Sequence, residues 1–209
     1  KNHLPYFHLV SIIRYSVKFA LYFDYFYAII MAIERMLIMN LFIFGNPMSG
    51  SFSGQQQINH IVEVCTEKGI PFKLFQTQRA GELPELMDKH LQQRNQHTIV
   101  VIVGGDGTLN EALQYLKQQN IFVPLSYLPA GTGNDFSREM NLTHHARKFI
   151  ENLSKNHIID LEFLTYSEEN SQTTGIILNS MGFGIDAAIC EINQKQRQAL
   201  LQAKGIKKA

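Results

Sequence analysis

The sequence is most informative at residues 99–111, which read IVVIVGGDGTLNE. The first five residues are apolar and β-branched, as in a buried parallel strand. Residues 111–117 have the apolar spacing of a helix, so a glycine-rich turn connects a strand to a helix. Such a turn lets backbone N–H groups approach an anion, and the N-terminus of the following helix adds a favourable dipole.

This turn has two interpretations. Its three glycines either serve only to allow a tight connection, or they admit the phosphates of a nucleotide. Asp106 would repel a bare phosphate, but it suits a site that also holds Mg²⁺ or a phosphoryl acceptor. Three glycines and an Asp–Thr pair at one strand end favour the nucleotide interpretation.

Three other apolar segments also end in small or polar residues. Residues 41–44 run into GNPMSG, residues 71–75 into QT, and residues 123–128 into PAGTGND. Ligands of open α/β sheets bind beyond the carboxyl ends of the strands. The turns therefore predict one shared site at one edge of a sheet.

Helical apolar spacing follows each of the first three strand segments, which predicts an α/β fold with a parallel sheet. The helical patterns lie at residues 58–65, 83–91 and 109–116. Beyond residue 156 an alternating stretch, a polar turn and a second apolar stretch predict a β-hairpin from 158–166 and 175–179. A helix rich in Gln and Ala is predicted at 185–203.

Four motifs, in this order, resemble those of the bacterial diacylglycerol kinase-like lipid kinases. They are Asn46-Pro47-Met48-Ser49-Gly50, Gly104-Gly105-Asp106-Gly107-Thr108-Leu109-Asn110-Glu111, Pro129-Ala130-Gly131-Thr132-Gly133-Asn134-Asp135-Phe136-Ser137-Arg138 and Asn179-Ser180-Met181-Gly182-Phe183-Gly184-Ile185-Asp186-Ala187. The resemblance implies an α/β nucleotide-binding domain distantly similar to phosphofructokinase, with a parallel sheet. A β-rich sandwich domain would follow it, and this second domain is incomplete here.

We therefore expect three regions. Residues 1–38 form an apolar extension of uncertain status, residues 39–156 an α/β ATP-binding catalytic domain, and residues 157–209 the beginning of a truncated second domain. For residues 1–38 three interpretations remain: a membrane-surface anchor, a capping element, or sequence upstream of a true start at Met39.

The resemblance implies nucleotide contacts from two turns and from two threonines at strand ends. The implied residues are Asn46, Pro47, Met48, Ser49, Gly50, Thr77, Gly104, Gly105, Asp106, Gly107, Thr108, Leu109, Asn110 and Thr132. Each threonine has an alternative role as a hydroxyl that satisfies a local turn. Asn134 and Asp135 either belong to the site or cap the helix that follows them.

The general base of the family is assigned to a late Asp-Gly-Glu element, which does not occur in this sequence. Asp106 is the one candidate catalytic residue, and no metal ligand is assigned. We expect the chain as given to bind nucleotide weakly at best and to transfer little phosphate, since a positioned base contributes about 10²–10⁴-fold in rate.

The expected activity is transfer of the γ-phosphate of ATP, with Mg²⁺, to a lipid hydroxyl, that of diacylglycerol giving phosphatidic acid. A non-catalytic nucleotide-binding fragment and an NAD kinase-like enzyme are the alternatives. The expected partners are ATP and a membrane lipid, at the inner face of the membrane in the cytoplasm, and a homodimer is left open. A net charge of +1 argues against nucleic acid as a partner.

Overall fold

The computed structural model describes residues 39–155, 159–161, 163–168 and 173–179, together with 188–189, 192 and 195–196. The predictions for residues 1–38 and for the motif after Asn179 lie outside the described residues. So does most of the helix predicted at 185–203, although the five residues described within it are helical.

Four parallel strands form a sheet with the order β2-β1-β3-β4. The strands are β1 (Asn40–Gly45), β2 (Phe72–Gln76), β3 (Thr98–Gly104) and β4 (Leu125–Pro129). The two central strands, β1 and β3, are apolar without alternation because both of their faces are buried. The predicted α/β fold with a parallel sheet is confirmed.

The strand order reverses between β1 and β3. The chain passes from β1 to β2 on one side and then returns to β3 on the other side of β1. The register pairs Gly45 with Val103, so both strands end at the same level. In open α/β sheets the crevice outside such a reversal is the usual position of a ligand site.

The helices bury one face each, as their apolar spacing predicts. They are α1 (Ser53–Glu67), α2 (Leu83–Leu91), α3 (Asp106–Gln118), α4 (Asp135–Glu139) and α5 (Ala146–Ser154). In α2 the buried residues are Leu83, Met87 and Leu91, four residues apart. Each contributes about 1.5–3 kcal/mol when fully buried, which holds α2 on the sheet.

The α3 helix begins at Asp106, three residues before the apolar pattern predicted at 109–116. Its first intrahelical hydrogen bond runs from the N–H of Leu109 to the carbonyl of Gly105, with an N···O distance of 3.1 Å. The three residues before Leu109 are not apolar, so the periodic pattern does not include them. Asp106, Gly107 and Thr108, which the sequence pattern leaves in the turn, are therefore helical.

A β-hairpin follows, as predicted, with antiparallel strands β5 (Leu164–Glu168) and β6 (Thr173–Ile177). The first strand begins at Leu164, which pairs with Ile177, the last residue of β6, whereas the prediction began it at residue 158. The side chain of Gln114 on α3 donates a hydrogen bond of 3.0 Å to the carbonyl of Ile176. The division into domains at residue 156 stays a prediction.

Burial raises the pKa of the Cys65 thiol to about 11, and this cysteine packs in the core as a small hydrophobic residue. Within the part of the chain that the structure describes, no helix has the length and apolar character needed to cross a membrane.

Candidate functional site

An open cleft of about 460 Å³ lies beyond the carboxyl ends of β1, β3 and β4. Its walls come from the loops after these three strands and from the first turns of α3. The lining residues are Asn46, Met48, Ser49, Gly50, Gly105, Gly107, Thr108, Glu111, Gly131, Thr132 and Gly133. Among these, Glu111 alone is ionisable, so no lysine or arginine of the described residues lines the cleft.

The loop after β1 is fixed by the side chain of Asn46. Its Oδ1 atom accepts a hydrogen bond from the N–H of Met48 at 3.0 Å. Its Nδ2 atom donates to the Thr108 hydroxyl on α3 at 3.2 Å. One amide thus closes the first loop on itself and joins it to α3.

The same loop continues into a left-handed turn. Gly50, Ser51 and Phe52 have φ angles of 54°, 56° and 81°. This conformation costs roughly 1–2 kcal/mol for each residue that is not glycine. The hydroxyls of Ser49 and Ser53 hold the turn, because they donate to the carbonyl of Ala130 at 3.2 Å and 2.8 Å.

The N-terminus of α3 is open to the cleft. Its N-cap residue is Gly105, which has no side chain to cap the first turn. The N–H groups of Asp106, Gly107 and Thr108 precede the first intrahelical bond, so the helix itself does not use them. A Cβ atom added to Gly107 would meet nothing within 4 Å, so the space beside its backbone is empty.

The carboxylate of Asp106 caps a different helix. Its Oδ2 atom accepts from the N–H of Asp135 at 2.9 Å, and its Oδ1 atom accepts from the N–H of Phe136 at 3.2 Å. These amides belong to the first turn of α4. Asp106 therefore joins the turn after β3 to the loop after β4.

The loop after β4 is closed by Asn134, whose backbone is left-handed with φ of 52°. Its Oδ1 and Nδ2 atoms pair with the N–H and the carbonyl of Gly131, each at 2.8 Å. It gives no side-chain cap to α4, although it occupies the N-cap position. The predicted capping role of Asn134 or Asp135 is wrong, because Asp106 supplies the cap; the Asp135 carboxylate pairs with Arg138.

Glu111 lines the cleft, although it is not among the nucleotide-contact residues that the family resemblance implies. Its side chain is partly buried, and burial raises the pKa of its carboxyl group above the ordinary value. It lies four residues after Gly107 and three after Thr108, so all three share one face of α3. That spacing was visible in the sequence. Gly131 and Gly133 were quoted in the third motif and also line the cleft.

The structure brings the implied residues together only in part. The cleft is lined by Asn46, Met48, Ser49, Gly50, Gly105, Gly107, Thr108 and Thr132. Pro47 lies in the turn into α1, where its carbonyl accepts from the N–H of Gln55 at 3.2 Å. Thr77 is buried at the end of β2, and its N–H donates to the carbonyl of Gly45 at 3.0 Å.

Four further implied residues do not line the cleft: Asp106, whose carboxylate caps α4, and Gly104, Leu109 and Asn110. The carbonyl of Gly104 accepts from the N–H of Ala130 at 2.6 Å, and Leu109 is 1% exposed in the core. The Oδ1 atom of Asn110 is buried and has no hydrogen-bond partner among the described residues.

The chain is similar in sequence to bacterial proteins of the lipid kinase type. A diacylglycerol kinase of Staphylococcus carnosus is 25% identical over 117 residues, which are 56% of this chain and 38% of that protein. The Bacillus subtilis protein YtlR, whose name places it among the lipid kinases, is 26% identical over 152 residues, 69% of this chain and 47% of the relative. The chain thus spans less than half the length of these relatives.

A crystal structure of a diacylglycerol kinase from Bacillus anthracis Sterne superposes on 57% of this chain and 43% of its own chain, with a TM-score of 0.47 and 23% identity. The family model of the diacylglycerol kinase catalytic domain matches residues 40–166. Because this match covers more than half of the 209 residues, the chain belongs to the diacylglycerol kinase catalytic domain family.

Proposed function

We propose that this chain is the nucleotide-binding part of an ATP-dependent lipid kinase. The observation that carries the proposal is the open N-terminus of α3 in the cleft beyond β1 and β3. The family match supports a kinase of the lipid type. The proposed reaction moves the γ-phosphate of ATP to a lipid hydroxyl, with that of diacylglycerol as the first substrate to test.

The phosphates would lie against the first turn of α3. Unused N–H groups at a helix N-terminus bind anions, and the helix dipole adds the equivalent of roughly half a positive charge. The empty space beside Gly107 allows a phosphate to approach the backbone closely. Since the described residues that line the cleft include no lysine or arginine, backbone donors would provide most of the protein's contribution.

The residues fit a Mg²⁺ ion that arrives with the triphosphate. Mg²⁺ usually takes one or two carboxylates together with phosphate oxygens. The cleft offers the Glu111 carboxylate, and the described residues contain no group of three or more metal-ligating side chains. Glu111 would therefore hold the ion on the protein side, and the ion would neutralise charge on the transferring phosphoryl group.

Phosphoryl transfer needs positioning and charge neutralisation more than covalent catalysis. In this proposal Asn46 and Thr132 stand on opposite loops of the cleft and orient the nucleotide between them. No described residue is assigned as the general base. The lipid and any contact with a membrane surface belong to the proposal for the whole protein.

Calorimetric titration with Mg·ATP tests the proposal, with a Gly107→Val variant as its control. The wild-type chain should bind, and the variant should fold but lose at least about tenfold in affinity, because its side chain fills the space beside the α3 backbone. Absence of binding to the wild type, or equal binding to both, would contradict the proposed site.

Transfer is tested separately, with γ-labelled ATP and diacylglycerol in mixed micelles, on the chain completed with the C-terminal segment of a family member, because the chain as given is expected to transfer little phosphate. Label in phosphatidic acid supports a lipid kinase. Label in NADP when NAD is offered instead would favour an NAD kinase, and binding without transfer to either would favour a nucleotide-binding role.

A further inference from the structure

Asp106 is the first residue of α3, beside the proposed nucleotide site, but its carboxylate oxygens are hydrogen-bonded to a different helix. Both accept backbone N–H groups of α4, from Asp135 at 2.9 Å and from Phe136 at 3.2 Å. The partners lie 29 and 30 residues away in the sequence. A carboxylate that accepts two consecutive amides of a helix's first turn has the geometry of an N-cap.

The α4 helix depends on this cap because its own N-cap residue does not supply one. The Asn134 side chain is occupied with both backbone groups of Gly131. Asp106 thus satisfies donors of α4 that the described residues around it otherwise leave to solvent. Hydrogen bonds thus fix the backbone at Gly131 and at Asp135. Thr132 and Gly133 lie between these two residues and form one wall of the cleft.

Two more contacts join the same two loops. The Tyr127 hydroxyl, in β4, donates to the carbonyl of Gly104 at 3.1 Å. A Cβ atom on Gly131 would lie 2.6 Å from the Cα atom of Gly105, so the two backbones are in close contact. The end of β3 and the end of β4 therefore form one connected unit, and Asp106 is its link to α4.

We propose that Asp106 is a positioning residue, which holds the Thr132–Gly133 wall of the cleft through the N-terminus of α4. It acts through hydrogen-bond geometry and not through its charge. The importance of this wall for a nucleotide rests on the proposed function; the capping role does not.

A pair of variants separates geometry from charge. Asp106→Asn keeps the side-chain length and one of the two acceptor oxygens and removes the charge, and Asn with a single acceptor caps helices as well as Asp does. Asp106→Glu keeps the charge and moves the carboxylate away by one methylene. If Asp106 positions α4, the Asn variant keeps Mg·ATP affinity within about threefold, while the Glu variant loses about tenfold.

Amide hydrogen exchange gives a second measurement that needs no nucleotide. One of the two N–H groups, of Asp135 or Phe136, should stay protected in the Asn variant, whose amide keeps a single acceptor oxygen, and both should exchange faster in the Glu variant. Failure of the wild type to bind Mg·ATP would refute the proposed function and leave the exchange result to decide this inference. Greater loss in the Asn variant than in the Glu variant, in either affinity or protection, would overturn it.

Discussion

Two helix N-termini meet at the same edge of the sheet, and only one of them is capped by a side chain. The first-turn N–H groups of α4 bind the carboxylate of Asp106. Those of α3 follow Gly105, which has no side chain, and they face the cleft beside Gly107. The first-turn N–H groups of a capped helix are already hydrogen-bonded within the protein, whereas those of an uncapped helix are available to bind a ligand. The difference indicates which helix would receive the phosphates.

The largest expected effect comes from separating the two loops. Gly131→Ala brings a methyl group to 2.6 Å from the Gly105 Cα atom and 2.7 Å from Asn134 Oδ1. Because backbone must move, we expect a loss of about 1–3 kcal/mol in the free energy of unfolding, measured by urea denaturation. Unchanged stability would mean that the loops are not in close contact.

Gly107→Ala is the matched glycine variant on the open side. Its methyl group meets nothing, and alanine in place of glycine within a helix favours folding by up to about 1 kcal/mol. We expect unchanged or increased stability with weaker Mg·ATP binding, measured by urea denaturation and calorimetry on one preparation. A stability loss comparable to that of Gly131→Ala would remove the contrast between the two positions.

The strained turn after β1 should respond in the opposite direction to Gly131. Ser51 is left-handed at φ of 56°, and glycine adopts this conformation without the Cβ clash. After the entropy of glycine in the unfolded chain is subtracted, Ser51→Gly should stabilise by roughly 0.5–1 kcal/mol in urea denaturation. Destabilisation would show that the Ser51 side chain has a packing role.

The smallest expected effect concerns pH and Glu111. Burial raises the folded-state pKa of Glu111 above its unfolded value, so the ionised form opposes folding. The free energy of unfolding should fall as pH rises from the unfolded to the folded pKa. Glu111→Gln should remove this dependence and be more stable than the wild type at neutral pH, in denaturation curves between about pH 4 and 8.

With Mg·ATP bound at neutral pH, the wild type should become more stable than Glu111→Gln, because a cation beside the carboxylate favours its ionised form. Wild type and Glu111→Gln should then differ in Mg²⁺-dependent affinity, with the wild type tighter. Equal affinity of the two proteins at every Mg²⁺ concentration would remove Glu111 from the proposed metal contact.

The strands, the first three helices and the common edge of the turns could be predicted from the sequence. Apolar runs such as residues 99–103 show burial on both faces, and glycine-rich turns show where strands end. The start of α3 could not, because Asp106, Gly107 and Thr108 precede Leu109, the first apolar residue of the periodic pattern. Several site residues that were implied for the turn therefore lie in α3 in the structure, and one of them, Leu109, is in the core.

The cap on α4 could not be predicted from the sequence for a different reason. Asp106 and Asp135 are 29 residues apart, and only the pairing of β3 with β4 brings their loops together. Local sequence favoured Asn134 or Asp135 as the cap, since both stand at the start of that helix. Glu111, in contrast, could have been found from its position four residues after Gly107 on one helix face.

The most direct test of the central claim is a titration of the labelled chain with Mg·ATP, observed by the amide resonances of both helix N-termini. The account predicts that the N–H signals of Gly107 and Thr108 shift with saturation, while those of Asp135 and Phe136 keep the shifts and protection of capped amides. Saturable shifts confined to other parts of the sheet, with Gly107 and Thr108 unchanged, would contradict it.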